Sequence, residues 1–322
     1  MLLVLAARTD TTVGTVVPKI ERQGVECLAF DPATYPASGT VTADFTGGRP
    51  RFTLRTGADE VDLGRVRAVW NRLATVPEAA TAVAEPSHRA HAAGQARRLL
   101  DGIWETLAVP WLPGPPSAVR RAHNKIIHLA RAVELGFTAP PTLVTNDPAA
   151  ARRMYERSEG RMVAKLIDDP PFTLRGETHT VFTTVTTRRM LTARHAIRHE
   201  PVILQPYVAK HVELRVTVVG ERVFAAEIDS QSHRTTRDDW RHYDTGRVLC
   251  RPHALPRELE RRCVDLVAGL GLTFGAIDLI LTPEGDYVFL EINPNGEWGG
   301  VEEASGLPIG DAVARWLTGG TR

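Results

Sequence analysis

The sequence predicts an α/β protein: an open α/β sheet first, then a second part that is α+β in character, with strands joined as hairpins. Three observations carry this. Residues 1–6, 13–23 and 25–30 read as strand, helix and strand, the βαβ opening of an open α/β sheet. The run PWLPGPP at 110–116 interrupts every periodic pattern and marks a boundary. Beyond it, residues 276–282 and 287–292 are rich in β-branched and aromatic side chains. They flank Pro283, Glu284, Gly285 and Asp286, so they read as a hairpin with a four-residue turn. At 322 residues the chain has room for two or three domains and a large core.

Between these landmarks the elements follow in order. Residues 41–55, broken by Gly47 and Gly48, read as a hairpin, 68–73 as a strand and 87–107 as a helix around Leu99, Leu100, Ile103 and Trp104. After the Pro-rich run, Ser117 is placed to cap one helix reaching Leu135 and stopping at Gly136. A strand at 142–145, a helix at 149–158 and a strand at 161–167 come next. In that last strand, RMVAKLI, both faces are apolar except for Lys165. Residues 204–208, LQPYV, precede a strand at 212–219, where Val212, Leu214, Val216 and Val218 face one way and Glu213, Arg215 and Thr217 the other. Residues 223–228 form its partner, 230–246 a polar loop holding Asp239, Trp240, Arg241, His242 and Tyr243, and 258–270 and 311–317 helices.

The hairpin carries the chemistry. With the four-residue turn, Asp278 faces Glu291, and like charges directly opposite on one sheet face destabilise the pair unless a cation sits between them. Asn293, two residues beyond Glu291, shares its face and adds an amide oxygen. Two carboxylates and an amide make a hard, all-oxygen set suited to Mg²⁺. In this register Leu279, Leu281, Val288, Leu290 and Ile292 fill the opposite face, and Tyr287 and Phe289 share the face of the acids. The bland alternative is a solvated hairpin face, and it loses ground because the surrounding apolar residues make unpaired charge costly. Lys165 in an apolar strand needs an anionic partner to stay charged: a nucleotide phosphate is one, Asp168 or Asp169 another. Lys125, on a helix, reads by itself as solvated. Glu213 and Arg215, side by side, read by themselves as an ion pair with each other.

Composition narrows the function. A formal net charge of +1 with 24% charged residues gives no support to a nucleic-acid or membrane-surface role. Cys27, Cys250 and Cys263 are odd in number and widely spaced, so neither a disulfide framework nor a thiolate metal site is indicated, and a cytoplasmic location is expected. The first strand is not followed by G-x-G-x-x-G, so the opening sheet reads as a scaffold and not as a dinucleotide site.

Together, Asn124-Lys125, Lys165, QPYV at 205–208, ELRV at 213–216, Asp278 and EINP at 291–294 resemble the ATP-grasp ligases. More narrowly, Trp111-Leu112, RAHNK at 121–125, TLVTND at 142–147 and NPNGEW at 293–298 resemble the ATP-grasp maturases of ribosomal peptides, the graspetide or microviridin-type macrocyclases. The resemblance spans nearly the whole chain. It implies an ATP-grasp fold behind a pre-ATP-grasp α/β domain, divided at 1–116, 117–203 and 204–322. It also implies that Lys125 and Lys165 hold the ATP phosphates, that Gln205, Pro206, Tyr207 and Val208 meet adenine, and that Glu213 belongs to the nucleotide set. Asp278, Glu291 and Asn293 would bind Mg²⁺, two ions in all, and Arg215 would neutralise the γ-phosphate and then an acyl-phosphate. The family's phosphate-covering loop is glycine-rich, whereas residues 168–184 here hold only Gly176.

The implied reaction joins Asp or Glu side chains of a precursor peptide, with a leader and a Thr/Ser-containing core, to hydroxyls or amines, and the implied assembly is a homodimer. Alternatives are a ligase adding free amino acids to a protein or small acid, and a leader-peptide carrier that binds nucleotide without turnover. A substrate carboxylate beside ATP calls for a cation outside the phosphate set, and Arg241 in the 230–246 loop is the candidate.

Overall fold

The computed structural model describes residues 1–57, 59–72, 75–167, 172–174, 177–179, 183–192, 194–231 and 250–319. It opens with β1 (Leu2–Ala6), α1 (Thr11–Glu21) and β2 (Cys27–Phe30). A small antiparallel sheet, β3 (Gly39–Asp44), β4 (Arg51–Thr56) and β5 (Asp59–Asp62), adds a third strand to the hairpin expected there. Then come β6 (Ala68–Arg72), α2 (Pro86–Thr106) and β7 (Trp111–Leu112). The main sheet of this region runs β2-β1-β6-β7, all parallel, so the run at 110–116 both ends one region and supplies its last strand. Every residue of β1 is buried, and alternation divides them. Leu3 and Leu5 pack with Leu100, Ile103 and Trp104 of α2. Leu2 and Val4 pack with Val16 and Ile20 of α1. Each such side chain contributes about 1.5–3 kcal/mol on full burial.

The helix expected from Ser117 to Leu135 is two helices, α3 (Pro116–His123) and α4 (Lys125–Glu134). The break is at Asn124, whose backbone is extended (φ −72°, ψ 111°) and whose side-chain oxygen accepts from the N–H of Ile126 at 3.0 Å, as a helix cap does. Ser117 is not a cap: its N–H and hydroxyl both donate to Glu105 at the end of α2, at 2.7 and 2.9 Å. The expected stop is present, with Gly136 at φ 77°, a conformation open to glycine at little cost.

A central sheet follows, with β8 (Leu143–Thr145), α5 (Pro148–Arg157), β9 (Met162–Lys165), the hairpin β10 (Phe172–Leu174) and β11 (Glu177–His179), β12 (Thr184–Thr186), α6 (Arg194–His199) and β13 (Val202–Pro206). Its order is β12-β9-β13-β8, antiparallel throughout. The last sheet has β14 (Val212–Val219), β15 (Arg222–Ile228) and β16 (Cys250–His253), then α7 (Arg257–Gly269), β17 (Phe274–Leu281) and β18 (Tyr287–Asn293), ordered β16-β15-β14-β17-β18. Val212, Leu214, Val216 and Val218 lie on its core face with Leu259, Leu266 and Val267 of α7, as the alternation predicts. Two short helices close the chain, α8 (Gly299–Ser305), unforeseen from sequence, and α9 (Ile309–Leu317). The apolar face of α9 returns to the first sheet, where Ile309, Val313 and Leu317 share a core with Ile20 and Trp70. No described helix is long and apolar enough to cross a membrane.

Candidate active site

The central and last sheets face each other across a cleft lined by Lys165, Gln205, Glu213, Asp278 and Glu291. β14, β17 and β18 lie side by side, so Arg215, Asp278 and Glu291 stand in one row: Arg215 pairs with Asp278, and Asp278 with Glu291. The facing acids inferred from sequence are thus present, by a different route. Near the turn the pairing is Leu281 with Tyr287 and Leu279 with Phe289, one residue off the expected register. A bulge then restores Asp278 opposite Glu291. The faces change accordingly: Phe289 is fully buried in the core with Leu279, Tyr287 packs against that core, and Leu290 lines the cleft beside Glu291.

The cations that like-charged neighbours require come from other elements. Arg215 Nη1 donates to both oxygens of Asp278, at 2.8 and 3.0 Å, and its Nη2 to the Glu297 carbonyl at 3.0 Å. Lys125 Nζ lies 3.6 Å from Glu291 and donates to the Leu166 carbonyl at 3.2 Å, so this lysine is a cleft residue and not a solvated one. Asn293 Nδ2 donates to Asp278 at 3.3 Å, which turns its amide oxygen away from that acid. Arg215, Asp278 and Glu291 are each at most 7% exposed, so the charges interact with little screening. Glu213 is equally buried and pairs with Lys210, 3.0 Å away.

From the central sheet, Lys165 and Gln205 enter the same cleft, with Pro206, Tyr207 and Val208 along its edge. Gln205 is buried and donates to the Thr142 hydroxyl at 2.9 Å. Pro206 has no N–H and the Tyr207 N–H donates to the Arg161 carbonyl at 2.8 Å, so Val208 is the hinge residue whose N–H can serve a planar base. Arg161 also covers the Tyr207 ring, 5.3 Å from its centroid, fixing the edge of the cleft. The structure thus brings Lys165, Gln205, Glu213, Asp278 and Glu291 to one cleft, with Arg215 and Asn293 bonded to Asp278 and Lys125 beside Glu291. Arg241 and Gly176 lie outside the described residues.

The donor set fits Mg²⁺. The two carboxylates on one rigid hairpin are hard donors, and the Asn293 amide oxygen would join them on turning from the bond its Nδ2 makes to Asp278; no cluster of three His, Cys, Asp or Glu residues suited to a metal occurs among the described residues. Such a site leaves positions for water and phosphate oxygens, as Mg²⁺ sites in phosphoryl-transfer enzymes do.

Behind Glu291 sits His128, 2% exposed, its Nδ1 3.3 Å from the Ala122 carbonyl and its ring edge-on to Phe289. An oxygen that only accepts places the proton on Nδ1. Burial lowers the pKa from 6.5 to about 4, against the opposing pull of Glu291. The unfolded chain therefore binds this proton over a window in which the folded one does not, and stability falls as pH drops from 6.5 to about 4. The full loss is on the order of 3 kcal/mol. Denaturation midpoints for His128→Gln should fall less between pH 7 and pH 4.5 than those of the wild type; equal slopes would contradict the assignment.

Comparison with known proteins follows the same lines. The family model of the MvdD pre-ATP-grasp domain matches residues 1–117. A RiPP-associated ATP-grasp ligase of Chryseobacterium gregarium, solved with ADP and a leader and core peptide, is 30% identical, covering 98% of this chain and 96% of that one at a TM-score of 0.91. The macrocyclase MdnB from Microcystis aeruginosa MRC is 33% identical over 98% of both chains, with a TM-score of 0.82. The chain belongs to the RiPP-associated ATP-grasp ligases. Macrocyclase MdnC from the same Microcystis strain, solved with precursor peptide MdnA, is 28% identical over 98% of both chains at a TM-score of 0.87. No curated protein sequence matches significantly.

In this ATP-grasp ligase, sequence reasoning missed Lys210, His128 and the pair Arg72 and Glu297. Lys210 falls just before the ELRV strand, and a lysine three residues ahead of a buried glutamate was a usable signal. The other three are placed by tertiary packing alone.

Proposed function

We propose that the protein activates Asp or Glu side chains of a ribosomal precursor peptide as acyl-phosphates and joins them to Thr or Ser hydroxyls, or Lys amines, as macrocycles. The observation that carries this reading is the single cleft in which Lys165 and the hinge of one sheet face the Arg215, Asp278, Glu291 row of the other, in a chain whose relatives hold ADP and precursor peptides. In this reading Lys125 and Lys165 hold phosphate oxygens, Gln205, Pro206, Tyr207 and Val208 meet the base, and Glu213, steadied by Lys210, completes the nucleotide set. Arg215 stabilises charge on the transferred phosphoryl group. Asp278, Glu291 and Asn293 would hold Mg²⁺, as two ions, and bound Mg²⁺ would neutralise charge on the phosphate chain. Arg241 is assigned to the substrate carboxylate.

The same proposal includes a cytoplasmic homodimer and a division at 1–116, 117–203 and 204–322. The pairing of β13 with β8 and β9 favours keeping Leu204, Gln205 and Pro206 with the central sheet.

The chemistry is balanced. The γ-phosphoryl group passes to a carboxylate oxygen, leaving ADP; the hydroxyl or amine then attacks the acyl carbon, loses its proton and expels phosphate. The peptide loses one water per crosslink. With ATP, Mg²⁺ and a Thr- and Asp/Glu-containing precursor peptide, ADP and phosphate should form in step with that mass loss. AMP as the stoichiometric product would exclude the acyl-phosphate route. ADP formation driven by free amino acids instead of peptide would favour the amino-acid ligase.

A further inference from the structure

We propose that Arg72 and Glu297 are positioning residues for Arg215, tying the first sheet to the phosphate end of the cleft. This rests on the reading of Arg215 given above. Arg72 is the last residue of β6, 3% exposed, and its Nη2 donates to the Thr12 hydroxyl at 3.3 Å and to the Glu297 carboxylate. Its Nε lies 3.5 Å from Asp10, the cap of α1. Glu297 comes from the other end of the chain, four residues after Asn293. Its second oxygen accepts from the N–H groups of Trp298 and Gly299, at 3.1 and 2.9 Å. The Glu297 side chain is more than half exposed; the partial desolvation it undergoes would raise its pKa, but the charge and hydrogen bond of Arg72, with those two N–H groups, hold it below the usual carboxylate range.

The link to the cleft is the Glu297 carbonyl, which accepts from Arg215 Nη2 at 3.0 Å while Arg215 Nη1 holds Asp278. These two bonds of Arg215 have different roles. Asp278 is the partner that would hold Mg²⁺, and Nη1 is the nitrogen that would then be available to a phosphate oxygen. The bond to Glu297 is the anchor about which the guanidinium turns, and its position is set by the Arg72 clasp on the Glu297 side chain. A guanidinium displaced by about 1 Å loses much of its effect on a transferring group.

A clasp that only glues the regions together would weaken all nucleotide binding alike, whereas an anchor for Arg215 acts on the γ-phosphate alone. Dissociation constants for Mg²⁺ complexes of ADP and of the β,γ-imido analogue of ATP separate the two, measured on full-length wild type, Arg72→Gln, Arg72→Lys and Glu297→Ala, each with its thermal midpoint. The wild type should bind the ATP analogue more tightly than ADP. In Arg72→Gln and Glu297→Ala, ADP affinity should stay within about twofold, while analogue affinity drops about tenfold, the equivalent of one charge-assisted hydrogen bond. The double variant should lose no more than the larger single loss, because the two residues act as one unit. Arg72→Lys keeps the buried charge without the fork and serves if Arg72→Gln does not fold; it should show the same selective loss, smaller in size. Wild-type binding of the analogue by a folded Arg72→Gln or Arg72→Lys protein, or equal losses for both nucleotides, overturns the inference. A wild type with no preference for the analogue over ADP overturns the reading of Arg215 and the inference together.

Discussion

Asp278→Asn is expected to abolish peptide-dependent ADP formation and to lower the melting temperature by several degrees. From sequence the substitution looks harmless to the fold, since it is isosteric and lies on a hairpin. The structure changes that expectation. Asp278 holds Arg215 through two hydrogen bonds of 2.8 and 3.0 Å, and Arg215 is only 4% exposed. Removing one member of a buried ion pair leaves the other charge uncompensated, at a cost of about 3–5 kcal/mol. The same change removes a hard anionic oxygen from the set suited to Mg²⁺, and with it charge needed for phosphoryl transfer. Scanning calorimetry of the nucleotide-free protein and an ADP assay with precursor peptide read the two effects separately. Glu291→Gln provides the comparison: Lys125 is 3.6 Å away and also donates to the Leu166 carbonyl, so the loss of stability should be smaller while activity is still lost. An Asp278→Asn protein that melts with the wild type shows that Arg215 finds another partner, and normal turnover by it removes Asp278 from the metal set.

Local periodicity revealed much of this site and non-local pairing hid the rest. The alternation of Val212 to Val218 against Glu213 and Arg215 was legible because a strand fixes which residues share a face. The facing of Asp278 and Glu291 was legible because turn length sets register, although the bulge that delivers it was not, and that bulge moved Phe289 into the core and Leu290 into the cleft. The break at Asn124 was hidden by helix-forming residues on both sides, where the amide competes locally for N–H groups. Lys125 reads as a surface residue in one continuous helix; the break and the fold of α4 bring it to Glu291. Arg72 and Glu297 are 225 residues apart, and no window of sequence relates them.

Gly296→Ala should be nearly as damaging as loss of a charged site residue, although it adds one methyl group to a loop. A Cβ there would lie 2.5 Å from the Ala276 Cβ, 3.1 Å from the Asn293 Cβ, and closer still to Arg215 Nη2. Ala276 is fully buried on β17 and has no rotamer to yield, so the loop or Arg215 must move. Overpacking of this kind costs about 1–3 kcal/mol. The loop between Asn293 and Glu297 supplies an amide oxygen at one end and the Arg215 anchor at the other, so its displacement moves both. Misplacement by about 1 Å lowers turnover by about 100-fold. Gly300, four residues on, is the matched control: a Cβ there meets nothing within 4 Å, and it lies inside α8. Gly300→Ala should therefore leave turnover unchanged and raise stability by about 0.5–1 kcal/mol through backbone entropy and helix propensity. Calorimetry and single-turnover ADP formation on the two variants compare one methyl group at two positions of one loop and helix. Equal behaviour of the two would mean that Gly296 does not seat Arg215.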